Sequence, residues 1–408
     1  MAVLGIDFGT SNSGAAIAAD GVARLLPLEP GQDMLPTAIF LDYAARETHV
    51  GSAAVAAMIE GRDGRFMRAL KSILGTPLAR EKRQFMNRRL TLLEIVAGFL
   101  GEVRERAGRA TGEDHRRVIA GRPVHFHSAD AGRDAQAAAD LAECYRMAGF
   151  DDVRFLNEPE AAAWAAGPAP GLSLVVDIGG GTSDFTLFEA GASGVRIVAS
   201  HGIRLGGTDF DRLVSVARVM PLLGLGGELR NEIGPGRHDV PRAIYQELAS
   251  WEKIAFLYVP ATLREVKLMA RLACEPRPMA RLVRVIEEET GHDIAFAVEA
   301  AKIAANGGGA ASIELTPVEA GLRPMLTMGD LHEACGASAF QIGQAARETL
   351  AQAGVRPEAV GRVILVGGSS LLAAVDQAVR AAVPGAVVER SDVFTAVVRG
   401  LALAGAAE

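Results

Sequence analysis

The chain has 408 residues, 49% of them apolar and 22% charged, with a net charge of −7. That length exceeds one ordinary core, so two domains are expected, and the composition excludes a disordered chain. The acidic balance argues against a general nucleic-acid surface, and no run approaches the roughly 18 apolar residues of a membrane span. No basic segment followed by an apolar core opens the chain, so a cytoplasmic protein is expected. Cys144, Cys274 and Cys335 have neither metal nor disulfide spacing and read as reduced structural thiols.

In chain order, an apolar run at 3–6 leads into Asp7, Phe8, Gly9, Thr10, Ser11, Asn12 and Ser13. This predicts a strand, a tight turn and a return strand through 19, with Asp20 and Gly21 turning into a third strand at 22–26. A strand at 38–41 and a helix at 52–60 follow, and then a basic stretch at 62–89 that reads as a solvated helical face. Thr91 and Glu94 form a capping box that opens a helix to about 109. A strand at 117–120, a helix at 129–149 stopped by Gly149, a strand at 153–156 and an Ala-rich helix at 160–166 come next. Residues 167–171 break the chain and mark the boundary between lobes.

The second half repeats the opening. Leu174, Val175 and Val176 lead into Asp177, Ile178, Gly179, Gly180, Gly181, Thr182, Ser183 and Asp184. Gly206 and Gly207 turn into a helix, where Asp209 and Asp211 read as N-capping with one exposed acid. A glycine-rich loop at 224–236 precedes a mostly helical stretch at 241–305, interrupted at Pro260, Pro276 and Pro278. A strand at 312–316, a helix from 327 to about 353, and a strand at 362–366 follow. Gly367, Gly368, Ser369 and Ser370 then turn into a helix at 371–382, and a last helix covers 392–403. Strands and helices alternate in both halves, so the fold class is α/β.

Glycines in such turns let backbone N–H groups approach an anion, an Asp can hold a hydrated cation, and a hydroxyl can donate to a phosphate oxygen. Two such hairpins and a third Gly-rich turn before a helix favour a nucleotide clamp. No Gly-Lys pair exists, so a P-loop is excluded, and no Gly-x-Gly-x-x-Gly supports a dinucleotide fold. Asp7-Phe8-Gly9 spells a kinase motif without the lobe that must precede it. His125 and His127 read as polar loop histidines, and Lys71 as one solvated cation of the basic stretch. Glu158 is by default a helix-start acid. Glu299 and Lys302, one turn apart, form a surface ion pair on the same footing.

These residues resemble the actin-like ATPase superfamily, and within it the nucleotide-binding domain of the seventy-kilodalton heat-shock (DnaK-type) chaperones. GIDFGTSNS (5–13) and DIGGGTSDF (177–185) resemble the two phosphate loops of that family, and LGGTDFD (205–211) resembles the segment after the second. VILVGGSS (363–370) is similar to the adenosine loop, and RFLNEPEAAA (154–163) to the segment bridging the lobes. RNEIGPGR (230–237) and AFAVEAAKIA (295–304) resemble the YegD-like branch.

The resemblance implies a duplicated, ribonuclease H-like fold with two lobes of two subdomains each around a central nucleotide cleft. Lobe I would cover 1–170 with a small insertion at 36–90. Lobe II would cover 171–408 with a helical insertion at 212–310 and a final helix at 392–404 packing back towards lobe I. ATP or ADP with Mg²⁺ is the implied cofactor. Asp7, Asp177 and Asp184 would surround the magnesium, partly through water. Gly9, Thr10, Ser11 and Asn12, with Gly179, Gly180, Gly181 and Thr182, would hold the phosphates. Gly206, Gly207, Gly367, Gly368 and Ser369 would complete the nucleotide contacts, with Glu299 and Lys302 against the ribose. Lys71, Thr182 and Glu158 would join the acids in catalysis.

Two positions depart from the family pattern: Leu371 stands where an arginine meets the adenine, and Phe394 where an acid is expected. The chain ends just past the final helix, so no peptide-binding β-sandwich is expected. The implied protein is a monomeric, slowly hydrolysing, chaperone-like ATPase with an unidentified protein partner or client. It would need neither nucleic acid nor membrane. A nucleotide-sensing scaffold without hydrolysis, an actin-like assembly protein and a small-molecule kinase of the same superfamily are the alternatives.

Overall fold

The computed structural model describes residues 3–127, 129–167, 169–191, 194–390 and 395–407. They form two compact units, Met1–Gly207 with Ala339–Glu408, and Thr208–Ser338.

The first unit contains the same sheet twice. In the first copy the strands run Asp152–Asn157, Arg117–Arg122, Leu4–Phe8, Asn12–Ala19 and Val22–Leu25, with Leu35–Pro36 also paired to Asn12–Ala19. In the second the order is Val387–Arg390, Val360–Val366, Ala169–Ile178, Ser183–Gly191 and Gly194–Ile203. Each central strand has an antiparallel hairpin partner on one side and a parallel strand on the other. Asp7 lies opposite Gly14, and Asp177 opposite Asp184, so both acids sit at the turn end of their hairpins.

Parallel neighbours need helical crossovers. Leu92–Thr111 and Ala131–Met147 supply them in the first copy, and Met328–Gln352 and Ala373–Ala382 in the second. The central strands are buried almost throughout, as a sheet covered on both faces requires. The closing helix of each copy, Glu158–Ala166 and Ala396–Ala406, packs against the other through Ala161, Ala162, Val397 and Leu401. This duplicated α/β architecture agrees with the actin-like ATPase fold that the resemblance implies.

The basic stretch at 62–89 is not a helical face. Gly64–Arg68 is a strand paired with Ala38–Asp42, and Arg83–Phe85 and Arg88–Leu90 form a hairpin around Met86 at φ 50°. The strand Ala169–Ile178 begins inside the 167–171 break, and its register slips between Ala169 and Leu172.

The second unit is mainly helical, with a core of Leu223, Tyr245, Trp251, Met279, Leu282 and Val298. Pro260 and Pro276 each open a helix, where a missing N–H has no consequence. Pro278 therefore lies within the first turn of Pro276–Glu287 and interrupts nothing. The glycine-rich 224–236 loop contains half of a hairpin, Glu228–Arg230 with Arg237–Asp239. The strand expected at 312–316 is reduced to Ala311–Ser312. Among the described residues, no helix is long and apolar enough to cross a membrane.

Candidate functional site

The two hairpin turns meet in the first unit. A Cβ built on Gly180 would lie 2.8 Å from the Ser11 Oγ and 2.8 Å from the Thr10 Cβ. One on Gly181 would lie 3.2 Å from both the Thr10 Oγ1 and the Ser72 Oγ. Gly206 packs on the peptide between Gly180 and Gly181, and the Gly207 N–H donates to the Gly179 carbonyl at 2.9 Å. Gly207 also abuts the Ser369 hydroxyl. These glycines serve close approach, of Gly9, Gly179 and Gly206 to backbone and of Gly180 and Gly181 to the Thr10, Ser11 and Ser72 side chains, since none of the five has a positive φ. Gly367 is different: at φ 78° it brings its loop against the Ile178 carbonyl and the Asp177 carboxylate.

The third turn is not the start of a helix. Gly368–Leu371 is a 3₁₀ turn, and Ala373–Ala382 begins after it. The Ser370 N–H and hydroxyl both donate to the Gly367 carbonyl, so the turn closes on itself.

Four carboxylates gather at the strand ends: Glu158, Asp177 and Asp184 are buried, and Asp7 is half-buried. Lys71 is buried among them and pairs with the Glu158 Oε1 at 2.5 Å, so it is not a solvated cation, and Glu158 is not merely a helix-start acid. Loss of water around the carboxyl, then the charge of Glu158, pushes Asp7 up to about 7. The same two causes push Asp184 up to about 8, against hydrogen bonds from the Val124 N–H and Thr182. Asp177 is raised by burial and by Glu158, Asp184 and Asp7. Burial alone would depress the Lys71 ammonium, but Glu158 and Asp7 outweigh it and hold it above its ordinary value.

Lys71 stands on a short 3₁₀ turn, Leu70–Ile73, entered through Ala69 at φ 60°. A left-handed alanine persists only where its surroundings over-determine it. Here the buried Asp140 of Ala131–Met147 accepts from the Gly75 N–H at 2.9 Å, and the His127 Nε2 donates to the Leu74 carbonyl at 2.7 Å. The Arg204 Nη2 donates to the Ser72 carbonyl at 3.0 Å. His127 is therefore a buried anchor of this turn rather than a polar loop residue. Thr10, Lys71, Ser72, His127, Thr182 and Arg204 line one narrow cavity with room for about one water molecule.

Four carboxylates against one ammonium leave negative charge in need of a cation, so the donor set fits a divalent ion. Among the described residues no three His, Cys, Asp or Glu side chains close into a direct cage.

Lys302 is not a surface residue. It is buried in the second unit and pairs with the Asp211 Oδ1 at 2.6 Å, while the Trp251 Nε1 donates to the other oxygen at 3.2 Å. Asp211 is thus a core acid rather than a capping one. Phe394 lies outside the described residues. Nothing in local composition marks Arg204, Asp140 or His127; the one available signal is a cation directly before a Leu-Gly-Gly turn.

Comparison with known proteins gives one family match and a set of relatives. The family model for "Hsp70 protein" matches residues 3–217, more than half of the chain. The "Chaperone protein HscA homolog" of Pseudomonas aeruginosa is 34% identical over 249 residues, covering 55% of this chain and 38% of that protein. Its namesake in Rickettsia bellii is 29% identical over 229 residues, covering 52% of this chain and 36% of the relative. The chain therefore matches well under half the length of either relative.

Proposed function

The chain belongs to the Hsp70 family, and on that premise we propose that it binds Mg-ATP at the two hairpin turns and hydrolyses it slowly. Its nucleotide state would set lobe closure in a chaperone-like protein, consistent with relatives whose name is "Chaperone protein HscA homolog". The observation that carries this reading is the buried Lys71–Glu158 pair among Asp7, Asp177 and Asp184, directly beside glycine turns that touch.

Phosphoryl transfer to water is catalysed mainly by positioning and by charge stabilisation. Asp7, Asp177 and Asp184 would hold Mg²⁺ through its waters, and the ion would neutralise charge on the phosphate oxygens. The Thr10 and Thr182 hydroxyls and the backbone N–H groups of both turns would donate to those oxygens. The acids would orient the attacking water as acceptors of its hydrogens. The Lys71 ammonium would then meet charge developing on the transferred group, in a buried setting where that interaction is strong. Glu158 fixes the lysine rather than the water.

Calorimetric titration with Mg-ATP and Mg-ADP, followed by single-turnover hydrolysis, tests the reading. The wild type should bind both and turn over, and Lys71→Ala should bind ATP without turnover. Absence of nucleotide binding in the wild type would refute the site; binding without any hydrolysis would leave a nucleotide-sensing scaffold instead. Unchanged hydrolysis in Lys71→Ala would remove the lysine from the mechanism.

A further inference from the structure

We propose that Arg204 is a second cation for the terminal phosphate and lets the site distinguish a nucleoside triphosphate from a diphosphate. The inference rests on the nucleotide reading above and deepens it. Arg204 directly follows the strand Gly194–Ile203 and stands two residues before Gly206, which packs on the turn at Gly180 and Gly181. Its guanidinium also reaches across to the segment of Lys71, donating to the Ser72 carbonyl at 3.0 Å. One side chain thus spans the second glycine turn and the lysine turn. It lines the same cavity as Thr10 and Thr182, assigned to the phosphate oxygens, and Lys71, assigned to the transferred group.

The chemistry of the two cations differs. Lys71 is buried and its ammonium is shared with Glu158, whereas Arg204 is exposed at the cavity. A guanidinium is a planar fork that matches two phosphate oxygens, and such charge-assisted pairs are among the stronger hydrogen bonds. A diphosphate would leave the outermost position empty and lose nothing when the arginine is removed.

The test uses the intact chain, with calorimetric titration of Mg-ADP and of the magnesium complex of the non-hydrolysable β,γ-imido triphosphate. Arg204→Gln should weaken the triphosphate analogue by about tenfold, the scale of one charge-assisted hydrogen bond, and leave ADP affinity unchanged. Arg204→Lys should fall between that variant and the wild type. Equal weakening of both nucleotides would assign Arg204 to holding the loops together and overturn the proposal, as would no change for either. A wild type that binds neither nucleotide would instead refute the underlying site. Arg204→Gln also gives up the bond to the Ser72 carbonyl, so thermal unfolding without nucleotide is followed in the same variants, and the loss of triphosphate binding must stay selective beside whatever shift that bond accounts for.

Discussion

At the scale of single residues, the acids around Lys71 give the folded chain an unusual dependence on pH. Asp7 is pushed up to about 7 and Asp184 to about 8, chiefly by loss of water and then by Glu158. In the unfolded chain both titrate near their ordinary value of 3.8. Between these limits the folded state holds protons that the unfolded state has released. Stability from these groups is therefore present at low pH and lost as pH rises through about 4 to 8. The raised Lys71 acts only above its ordinary 10.5 and leaves that window untouched. We expect the melting temperature of the protein, freed of nucleotide and held in a metal chelator, to fall as pH rises from about 5.5 to about 8. Asp184→Asn should flatten the slope. A melting temperature that climbs across the same range would show that these carboxylates are ionised in the fold.

At the scale of elements, the final helix Ala396–Ala406 is held by glycine contacts that leave no room for a methyl group. A Cβ on Gly400 would collide with the Ala161 backbone, and one on Gly5 would lie 2.6 Å from the Ala402 nitrogen. Gly400→Ala should therefore cost about 3 kcal/mol or more, since backbone cannot yield as a side chain can. Gly98, in the exposed face of Leu92–Thr111, has nothing within 4 Å of the place a methyl group would take, so Gly98→Ala should stabilise by about 0.5–1 kcal/mol. Urea denaturation of the two variants checks both, and equal effects would mean that the final helix packs more loosely than these contacts require. The same contrast between local and distant partners decides what the sequence can reveal. The Thr91–Glu94 capping box is local and is present as expected, with the Glu94 N–H on the Thr91 Oγ1 and the Thr91 N–H on the Glu94 carboxylate. Both hairpins and their acids are equally legible, because strand, turn and Asp are adjacent in the chain. The strand Gly64–Arg68 is not, because it exists only by pairing with Ala38–Asp42, and its arginines mimic a solvated helix. Lys71 and Asp211 escape a local reading for the same reason: their partners, Glu158 and Lys302, lie far along the chain, and burial of a charge is decided by the partner.

At the scale of the whole molecule, the duplicated sheets and the helical segment at 208–338 are separate compact units, each with its own core. The chain carries two tryptophans, and they fall one to each. Trp164 lies half-buried on Glu158–Ala166 in the first unit. Trp251 is buried in the second, its ring edge-on to Phe296 with centroids 5.0 Å apart and its Nε1 on Asp211. Fluorescence of the Trp164→Phe chain therefore reports the second unit alone, and that of Trp251→Phe reports the first. A chain that unfolds as one cooperative body gives coincident transitions by every probe, whereas separate cores unfold at their own midpoints. We expect the two urea midpoints to differ, with Trp251 reporting the smaller, mainly helical core. Trp251→Phe also leaves the Asp211 oxygen without its indole donor, so the second unit of that variant is weakened, while the first-unit signal should keep its midpoint. Coincidence of the two curves, with equal midpoints and slopes, would show that the units fold as one and that the division of the chain at Gly207 and Ala339 is geometric only.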